Sequence, residues 1–514
     1  MVRKIFLYII CLVFLIGCAV NPVTGDRELA FISESQEIAI GAENYIPSRQ
    51  MQGGEYAIDP DLTEYVHEVG NRMARVADRQ LPYEFVVLNN STPNAWALPG
   101  GKIAVNRGLL TELKNEAELA SVLGHEIIHA AARHGAKGME RGILLQGAVL
   151  AAGMAAGGKN YADYVVGGAQ VAAGLIQTKY SRSAELEADY YGMLYMSRAG
   201  YDPSAAIGLQ ETFVKLSKQG SQNWLAGLFA SHPPSDERVA ANRRTAKGLA
   251  KGGILGRELY HEKIAYLLQK KEAYKLAGQG REALNKKNYQ QAEQLGRMAI
   301  EIEPREGHFY ALLGDLNVAK QNYRQAMLKY DRAVAQPGDF FYFYLQRGLA
   351  AGKLGDHNRA ARDLEASVRL LPTATAYNAL GNLALSSGDS NRAKKYFELA
   401  AGSGSEPGRE AMQSLVRLDL PDNPGRYITA RAGLDRQAYI VVEVSNTTPI
   451  LVGNILLRIS YPDTRGMKRT MTRQVSGIIP AGKSVRVNTG LGPVTSSENL
   501  KKIRVEVISG RVVE

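Results

Sequence analysis

The chain has 514 residues, more than one hydrophobic core accommodates, so its length predicts three or four domains. Its apolar content of 45% and charged content of 22% are ordinary for globular proteins. The formal net charge of +11 is consistent with either a mildly basic soluble surface or binding to an anionic partner. The sequence has no zinc-finger spacing and no dense basic run, and this disfavours nucleic-acid binding.

The first eighteen residues are typical of an exported lipoprotein. Arg3 and Lys4 precede the apolar stretch 5–16, which is too short to span a bilayer comfortably and suits a signal peptide. The stretch ends in Leu15-Ile16-Gly17-Cys18, which resembles the bacterial lipobox, in which cleavage precedes an acylated cysteine. A plain secretory signal with an incidental cysteine is the alternative.

Acylation of Cys18 would anchor the mature chain to a membrane. The only other cysteine, Cys11, lies in the signal, so the mature chain would contain no disulfide. Ala19 follows Cys18, and the absence of an aspartate there favours the outer membrane, seen from the periplasm. Residues 19–30 are predicted to be a short tether.

Helical and strand patterns alternate over the next hundred residues. Helices are predicted near 34–44 and over 60–79, and strands over Tyr83–Leu88 and Lys102–Val105, with a loop rich in Asn, Pro and Gly between the strands. A long helical region begins near Asn115.

The segment His-Glu-Ile-Ile-His at 125–129 carries the candidate chemistry. On a helix that turns about 100° per residue, His125 and His129 share one face and can bind one zinc ion. Glu126 projects beside that ion and can take a proton from bound water, as in the zincin motif. Five-residue matches also occur by chance, and two exposed histidines on a helix are the alternative.

His134 is a tempting third ligand. On a continuing helix it would lie about 180° from His125 and face away. The spacing also misses the metzincin pattern. We therefore interpret Arg133-His134-Gly135 as a helix C-terminus.

Glu185 is the better third ligand. The segment Tyr180–Asp189 is predicted to be helical, which places Glu185 and Asp189 on one face. Asp189 can then accept the other N–H of a ligand histidine. Glu187 would point elsewhere. A solvated acidic helix face is the alternative.

Residues 142–176 are rich in Ala and Gly, and Gly157–Asn160 interrupts them. Neither half reaches the length of about 20 residues that a membrane span needs. A helical hairpin is predicted, with membrane or substrate contact as the alternative.

From about residue 274 the sequence repeats with the tetratricopeptide period. Small residues recur at intervals of 34, 34 and 33 in two series: Gly280, Gly314, Gly348 and Gly381, and Ala292, Ala326, Ala360 and Ala393. Such arrays bury a continuous core and leave a concave groove for a partner segment.

After Pro421 the pattern becomes short, alternating and β-branched. Strands are predicted over Ala438–Ser445, Ile450–Ser460, Thr470–Ile478 and Lys501–Ile508. This pattern predicts a small β-sandwich or barrel with a structural or interaction role.

Three motifs together resemble the BepA/HtpX/CAAX-endopeptidase-type zinc metallopeptidases. They are the HEIIH helix, the Ser-Arg-x-x-Glu-x-x-x-Asp helix at 181–189, and the segment Asn94–Gly101. The resemblance covers about 27–245, and with the repeats about 27–400. The lipobox and the C-terminal β-domain depart from the family plan, so the compartment carries over but the particular client does not.

The resemblance implies one zinc ion per chain. It implies His125, His129 and Glu185 as ligands, Glu126 as general base, and Asp189 behind the ligands.

The resemblance also implies a substrate site and a closing residue. Asn94, Ala95, Trp96 and Ala97 would form a strand edge to which a peptide adds as an extra strand. His232, in Ser-His-Pro-Pro, would be an inhibitory fourth ligand, with an ordinary turn histidine as the alternative. Arg238 is a candidate for binding the oxyanion.

The predicted chain is therefore multidomain. An α+β HEXXH zincin domain covers 31–265, all-α tetratricopeptide repeats cover 270–420, and an all-β sandwich-like domain covers 425–514. The predicted function is a zinc endopeptidase of the periplasm, lipid-anchored at the outer membrane. Its predicted partners are unfolded or assembling envelope proteins and the outer-membrane assembly machinery. The rival is a non-proteolytic lipoprotein chaperone or scaffold that uses the repeat groove.

Overall fold

The computed structural model describes residues 18–142, 179–218, 227–463, 466–493 and 500–513. The predicted signal peptide up to residue 17 and the Ala/Gly-rich stretch beyond residue 142 lie outside the described residues. Contacts within the chain divide it into two units, Met1–Pro372 and Thr373–Glu514.

The first unit begins with a short hairpin where a tether is predicted. Strand β1 (Cys18–Val20) pairs antiparallel with β2 (Arg27–Leu29). Asn21 is 1% exposed, and its Nδ2 donates to Glu28 Oε1 at 3.0 Å and to the carbonyl of Ala132 at 3.4 Å. The hairpin is therefore fixed against the end of the HEIIH helix.

A three-stranded mixed sheet forms the centre of the first unit. Its order is β3-β5-β4, with β3 (Glu84–Leu88) parallel to β5 (Lys102–Asn106) and β4 (Ala95–Leu98) antiparallel to β5. Strand β4 is thus an edge strand of the sheet.

Helices surround this sheet. Those before and after its strands are α1 (Glu34–Met51), α2 (Pro60–Ala74), α3 (Arg107–Leu110) and α4 (Glu116–Ala131). Residues 134–142 are also helical. Later helices are α5 (Arg182–Arg198), α6 (Ala205–Lys218), α7 (Leu228–Ser231), α8 (Asp236–Lys247) and α9 (Arg257–Lys263). The sequence thus predicted the helices near 34 and 60, both strands and the start of α4.

Six repeat helices complete the first unit, and two more open the second. They are α10 (Ala265–Asn285), α11 (Tyr289–Ile302), α12 (Gly307–Ala319), α13 (Tyr323–Val334), α14 (Phe341–Lys353), α15 (His357–Leu370), α16 (Ala374–Ser386) and α17 (Ser390–Ala401). The four alanines of the repeat series are all fully buried.

Close packing between helices explains the repeated glycines. A Cβ on Gly314 would lie 2.5 Å from the ring of Tyr330, and one on Gly381 would lie 2.5 Å from the ring of Phe397. Any larger residue would push the paired helices apart. The tetratricopeptide prediction is confirmed.

The first repeats share a hydrophobic core with the sheet domain. Tyr274 and Phe309 belong to the same buried cluster as α2 and α4. Beside them, buried Glu306 accepts hydrogen bonds from Asn89 Nδ2 and Tyr274 Oη, both at 2.9 Å. The repeats therefore start on a rigid base.

The second unit continues with two helices and two antiparallel sheets. The helices are α18 (Glu406–Asp419) and α19 (Pro424–Tyr427). One sheet has the order β11-β7-β6, and the other has β10-β8-β12 with β9 also paired to β8. The strands are β6 (Ile428–Leu434), β7 (Ile440–Asn446), β8 (Val452–Pro462), β9 (Lys468–Gln474), β10 (Ile478–Ile479), β11 (Ser484–Asn488) and β12 (Arg504–Val512).

The two sheets enclose one core, to which Val442 of β7 and Leu457 of β8 contribute. The four predicted strands are present as β7, β8, β9 and β12, so the all-β prediction is confirmed. Strands β6 and β11 were not predicted; only Ile428 of β6 is buried, and its apolar pattern is weak.

Over the part of the chain that the structure describes, no helix has both the length and the apolar character needed to cross a membrane.

Candidate metal centre

Helix α4 brings the HEIIH segment into the centre of the first unit. Its N-terminus is capped by Asn115, whose side chain accepts from the backbone N–H of Glu118 at 2.9 Å. Almost every residue of the helix is buried, and Glu126 and His129 are each 1% exposed. A helix that is apolar all round is a core helix, so its polar residues at 125, 126 and 129 need partners.

Helix α5 supplies the carboxylates. Ser181 caps it by accepting from the N–H of Ala184 at 3.2 Å, which places Glu185 in the first turn. Glu185 and Asp189 are 3% and 7% exposed and face α4.

His232 enters from a third direction. It is the C-cap of the short helix α7, with φ −124° and ψ 74°, outside the α region that a following proline disfavours. Its backbone N–H donates to the carbonyl of Leu228 at 2.8 Å, and its side chain is buried.

Four side chains converge at this point: His125, His129, Glu185 and His232, whose donor atoms all lie within 4.8 Å of one another. His125 Nε2 lies 3.0 Å from His129 Nε2 and 3.3 Å from His232 Nδ1. The Glu185 carboxylate lies 3.5 Å from both His125 Nε2 and His129 Nε2, and 2.9 Å from His232 Nδ1.

These separations fit a tetrahedral metal ion. Zinc binds nitrogen and oxygen ligands at about 2.0–2.2 Å, so neighbouring ligand atoms of a tetrahedron are about 3.3 Å apart. Five separations within the cluster, from 2.9 to 3.5 Å, bracket that value. Buried Glu126 Oε2 has no hydrogen-bond partner among the described residues, which is consistent with a further group in this space. The residues present therefore fit a metal ion.

Asp189 and Arg238 support the cluster on the His125 side. Asp189 Oδ1 lies 3.0 Å from His125 Nδ1, so it accepts the proton that leaves Nε2 free for a metal. Arg238 donates to both oxygens of Asp189 at 2.7 Å, and its Nη1 lies 2.8 Å from Glu185 Oε2. Since carboxylates engage all three nitrogens of its guanidinium, Arg238 holds the ligands in place. This position does not favour the predicted oxyanion role.

His134 and Glu187 support His129, although the sequence predicted that both would point away from the metal site. Helix α4 ends at Ala131, and Arg133 adopts a left-handed conformation with φ 64°. The chain therefore turns, and His134 Nδ1 lies 2.8 Å from His129 Nδ1. His134 Nε2 in turn lies 3.1 Å from Glu187 Oε1. His134 is outside the ligand cluster, as predicted, but it does not face away.

Tyr180 is a further neighbour that the sequence did not reveal. Its ring stacks on that of His129, with centroids 3.8 Å apart and planes at 19°. It thereby fixes the plane of the imidazole. An isolated tyrosine before a capping serine carries no sequence signal for this contact.

Burial and charge act in opposite directions on these groups. Burial raises the pKa of Glu126, and the lowering by His232 and His125 offsets only part of that rise. For Glu185, His232 and the two ligand histidines overcome the effect of burial and hold its pKa well below the usual range. Burial lowers the pKa of His129. The Glu185 carboxylate, the neutral imidazole of His129 and Glu126, a base of raised pKa, thus lie together.

The predicted substrate strand lies beside the cluster. Helix α4 packs on β4, and all four residues of β4 are buried. Asn94 Oδ1 and Trp96 Nε1 are buried without a hydrogen-bond partner in the described part of the chain. The N–H of Leu228 donates to the carbonyl of Pro93 at 2.9 Å, so the segment that carries His232 is tied to the start of this strand.

Comparisons with known proteins agree with this geometry. Residues 60–246 match Peptidase family M48, and residues 374–403 match the tetratricopeptide repeat. The β-barrel assembly-enhancing protease of Yersinia pestis is 29% identical over 356 residues, which are 62% of this chain and 70% of that protein. The Escherichia coli (strain K12) protein of the same name is 31% identical over 44% of this chain and 47% of its own length.

A mitochondrial protein is also similar to this chain. The metalloendopeptidase OMA1 of Saccharomyces cerevisiae is 32% identical over 42% of this chain and 66% of its own length. The chain thus spans less than half of the Escherichia coli protein and about two thirds of the Yersinia and yeast proteins that it matches. Residues 60–246 thus match peptidase family M48, and the chain is a metallopeptidase with tetratricopeptide repeats that is similar to the β-barrel assembly-enhancing proteases.

Proposed function

We propose that this chain is a zinc-dependent endopeptidase of the bacterial periplasm that is anchored through Cys18 to the outer membrane. It acts there on envelope proteins that are unfolded or still being assembled, including β-barrel proteins. The observation that carries the catalytic part is the convergence of three imidazoles and one carboxylate around a point beside buried Glu126.

The donor set supports zinc as the metal. Histidine nitrogen with one carboxylate oxygen is a common zinc environment, and catalytic sites keep three protein ligands with a fourth position for water or substrate. His125, His129 and Glu185 are the three permanent ligands in this proposal. The zinc ion, when bound, would polarise the peptide carbonyl and lower the pKa of water, so that hydroxide is available as the nucleophile at neutral pH.

The protein's own groups then carry the proton. Glu126, whose pKa is raised by burial, takes a proton from the attacking water and passes it to the leaving nitrogen. Asp189 keeps the Nδ1 proton on His125, so that Nε2 faces the cluster. The Glu187 carboxyl accepts from His134 Nε2–H, which leaves His134 Nδ1 to accept from His129 Nδ1–H. Both ligand histidines are thereby held in the tautomer that binds metal.

His232 closes the site at rest in this proposal. Its Nδ1 faces the ligand cluster, and its Nε2 lies 3.6 Å from Glu126 Oε1. One imidazole therefore occupies the fourth ligand position and also stands next to the general base. Activity requires that the His232 imidazole leaves this position, while the backbone of α7 stays bonded to Pro93 beside the substrate strand β4.

The proposed client and the proposed compartment are supported by different observations. The relatives named for β-barrel assembly are similar over 62% and 44% of this chain, and repeat arrays bind extended or helical segments of partners. The lipobox ending in Cys18 supports the membrane anchor, and Ala19 supports the outer membrane. A Cys18→Ser variant should leave the membrane fraction. If it still sediments with outer membranes after salt washing, the anchor is not lipid at Cys18.

The catalytic roles are tested with Glu126→Gln. The amide cannot accept the proton, so casein cleavage should fall to background, while bound zinc stays near one ion per chain. Undiminished cleavage would contradict the assignment. Zinc binding without cleavage, both in the unmutated protein and in His232→Ala, would instead favour the scaffold function. Photocrosslinking from the repeat groove in cells that express Glu126→Gln should trap the clients.

A further inference from the structure

A small cavity lies directly beside the metal centre. It has a volume of about 30 Å³ and is bounded on one side by His125, Glu126 and His232. Its other walls come from α4, α6 and α7 and include Val122, Leu209, Gln210, Phe213 and Leu228. We call it the α6 pocket, after the helix that supplies most of this wall.

The walls of the α6 pocket are mainly apolar and rigid. Leu209, Phe213 and Leu228 are each at most 6% exposed and belong to the main hydrophobic core. Val122 lies one helical turn before Glu126 on α4, so the pocket is fixed to the same helix as the general base. A side chain in this pocket would therefore sit at a fixed distance from the reacting peptide bond.

One wall residue has an unused polar atom. Gln210 is 6% exposed, and its Oε1 is buried with no hydrogen-bond partner within the described residues. A buried acceptor without a donor costs about 1–3 kcal/mol, so such an atom is a sign of a ligand that supplies the donor. The catalytic roles proposed above do not use Gln210.

We propose that the α6 pocket binds the side chain of a substrate residue next to the cleaved bond, and that this residue is small, with serine preferred over alanine. The proposal rests on the proposed peptidase function of the neighbouring centre. A water molecule needs about 10–15 Å³ of such volume, so 30 Å³ accommodates about two non-hydrogen atoms. That is the size of the alanine or serine side chain.

The two features of the pocket make separate predictions. An extra methylene in a filled apolar pocket changes kcat/KM by about 10- to 200-fold, so valine and leucine should be strongly disfavoured at this position. The seryl hydroxyl can donate to Gln210 Oε1, and a neutral hydrogen bond of this kind is worth about 3- to 10-fold in kcat/KM.

The first experiment needs no variant. Purified zinc-loaded protein is incubated with a library of peptides from a digested proteome, and the cleaved bonds are identified by mass spectrometry. Serine and alanine should be enriched at one of the two positions that flank the cleaved bond. Cleavage with no such enrichment would overturn the pocket but not the peptidase function. Absence of any cleavage, also by His232→Ala, would overturn both.

Two variants then separate size from polarity. Leu209→Ala enlarges the pocket and should raise kcat/KM for peptides with valine or leucine at the enriched position by at least about tenfold relative to alanine. Leu216→Ala on the same helix is the matched control, since Leu216 packs on the core without lining the pocket. Equal profiles for the two variants would overturn the assignment of Leu209.

Gln210→Met keeps the length of the side chain and removes the acceptor. The ratio of kcat/KM for serine over alanine peptides should fall to about one. An unchanged ratio would overturn the role of Gln210 Oε1.

Discussion

Arg238 is the residue behind the metal centre whose loss we expect to affect stability most. Its guanidinium is 4% exposed and holds two buried carboxylates, those of Asp189 and Glu185, through contacts of 2.7 to 2.8 Å. Arg238→Gln removes the positive charge and leaves an amide that cannot replace three donors. Both carboxylates would then lack their cationic partner in a buried site.

The magnitude follows from that burial. Removing one partner of a buried ion pair costs about 3–5 kcal/mol, because the remaining charge stays desolvated. In a domain of this size, about 1 kcal/mol corresponds to about 2–4 °C in Tm, so the metal-free variant should lose on the order of 10 °C. With zinc bound the loss should be smaller, because the metal also neutralises Glu185.

The assay is thermal unfolding of both forms, with chelator and with zinc. Arg243→Gln on the same helix is the matched control, because Arg243 pairs with Glu211 at the surface, where such a pair contributes about 0–1 kcal/mol. Arg238→Lys should recover only part of the loss, since lysine cannot donate to both oxygens of Asp189 in a fork. Equal Tm values for Arg238→Gln and Arg243→Gln would refute this reasoning.

Three further outcomes are expected. His232→Ala should raise resting proteolysis of casein, because one imidazole stands at both the fourth ligand position and the general base. An unchanged or lower rate would contradict the inhibitory role of His232 and favour an ordinary turn histidine. His134→Leu should weaken zinc binding about tenfold, measured in competition with a fluorescent chelator. His134→Gln keeps a hydrogen-bond acceptor and should weaken zinc binding less. If both variants bind zinc as tightly as the wild type, His134 does not support the ligand His129.

Glu306→Gln should destabilise the junction of sheet and repeats in a pH-dependent way. Burial raises the pKa of Glu306, but His308 and the hydrogen bonds from His308 and Asn89 outweigh burial and lower the pKa to about 2. The resulting stabilisation, about 3 kcal/mol, is complete above about pH 4.5 and is lost as the pH falls towards 2. The Tm difference between the variant and wild type should therefore shrink over that range. The exposed Glu301→Gln serves as control, and a constant difference would contradict the shift.

Local periodicity was enough to predict much of this molecule. The spacing of His125 and His129 defines a shared face on any helix, and the same rule relates Glu185 to Asp189. The repeated glycines predicted the tetratricopeptide pairs, because only a residue without Cβ fits where Gly314 meets Tyr330. These signals depend on neighbours within a few turns, so the sequence carries them directly.

Residues that act across longer distances could not be predicted in this way. His134 was judged on a continuing helix, but the helix ends and Arg133 turns the chain back. Buried contacts of Arg133 with Glu37, 96 residues away in the sequence, and with nearby Glu140 hold that left-handed conformation. Helical geometry says nothing about such partners.

The sequence by itself thus determined the chemistry: two histidines and a glutamate on one helix, two carboxylates on another, and a repeat array behind them. Only the tertiary structure decided which groups surround that chemistry. It placed Arg238 under the carboxylates, His134 and Tyr180 against His129, and Gln210 in the wall of a small pocket. The physical reason is that His125 and His129 must share one helix face to bind the same ion, which sequence spacing reveals. Their supports arrive from separate elements, and packing alone sets those positions.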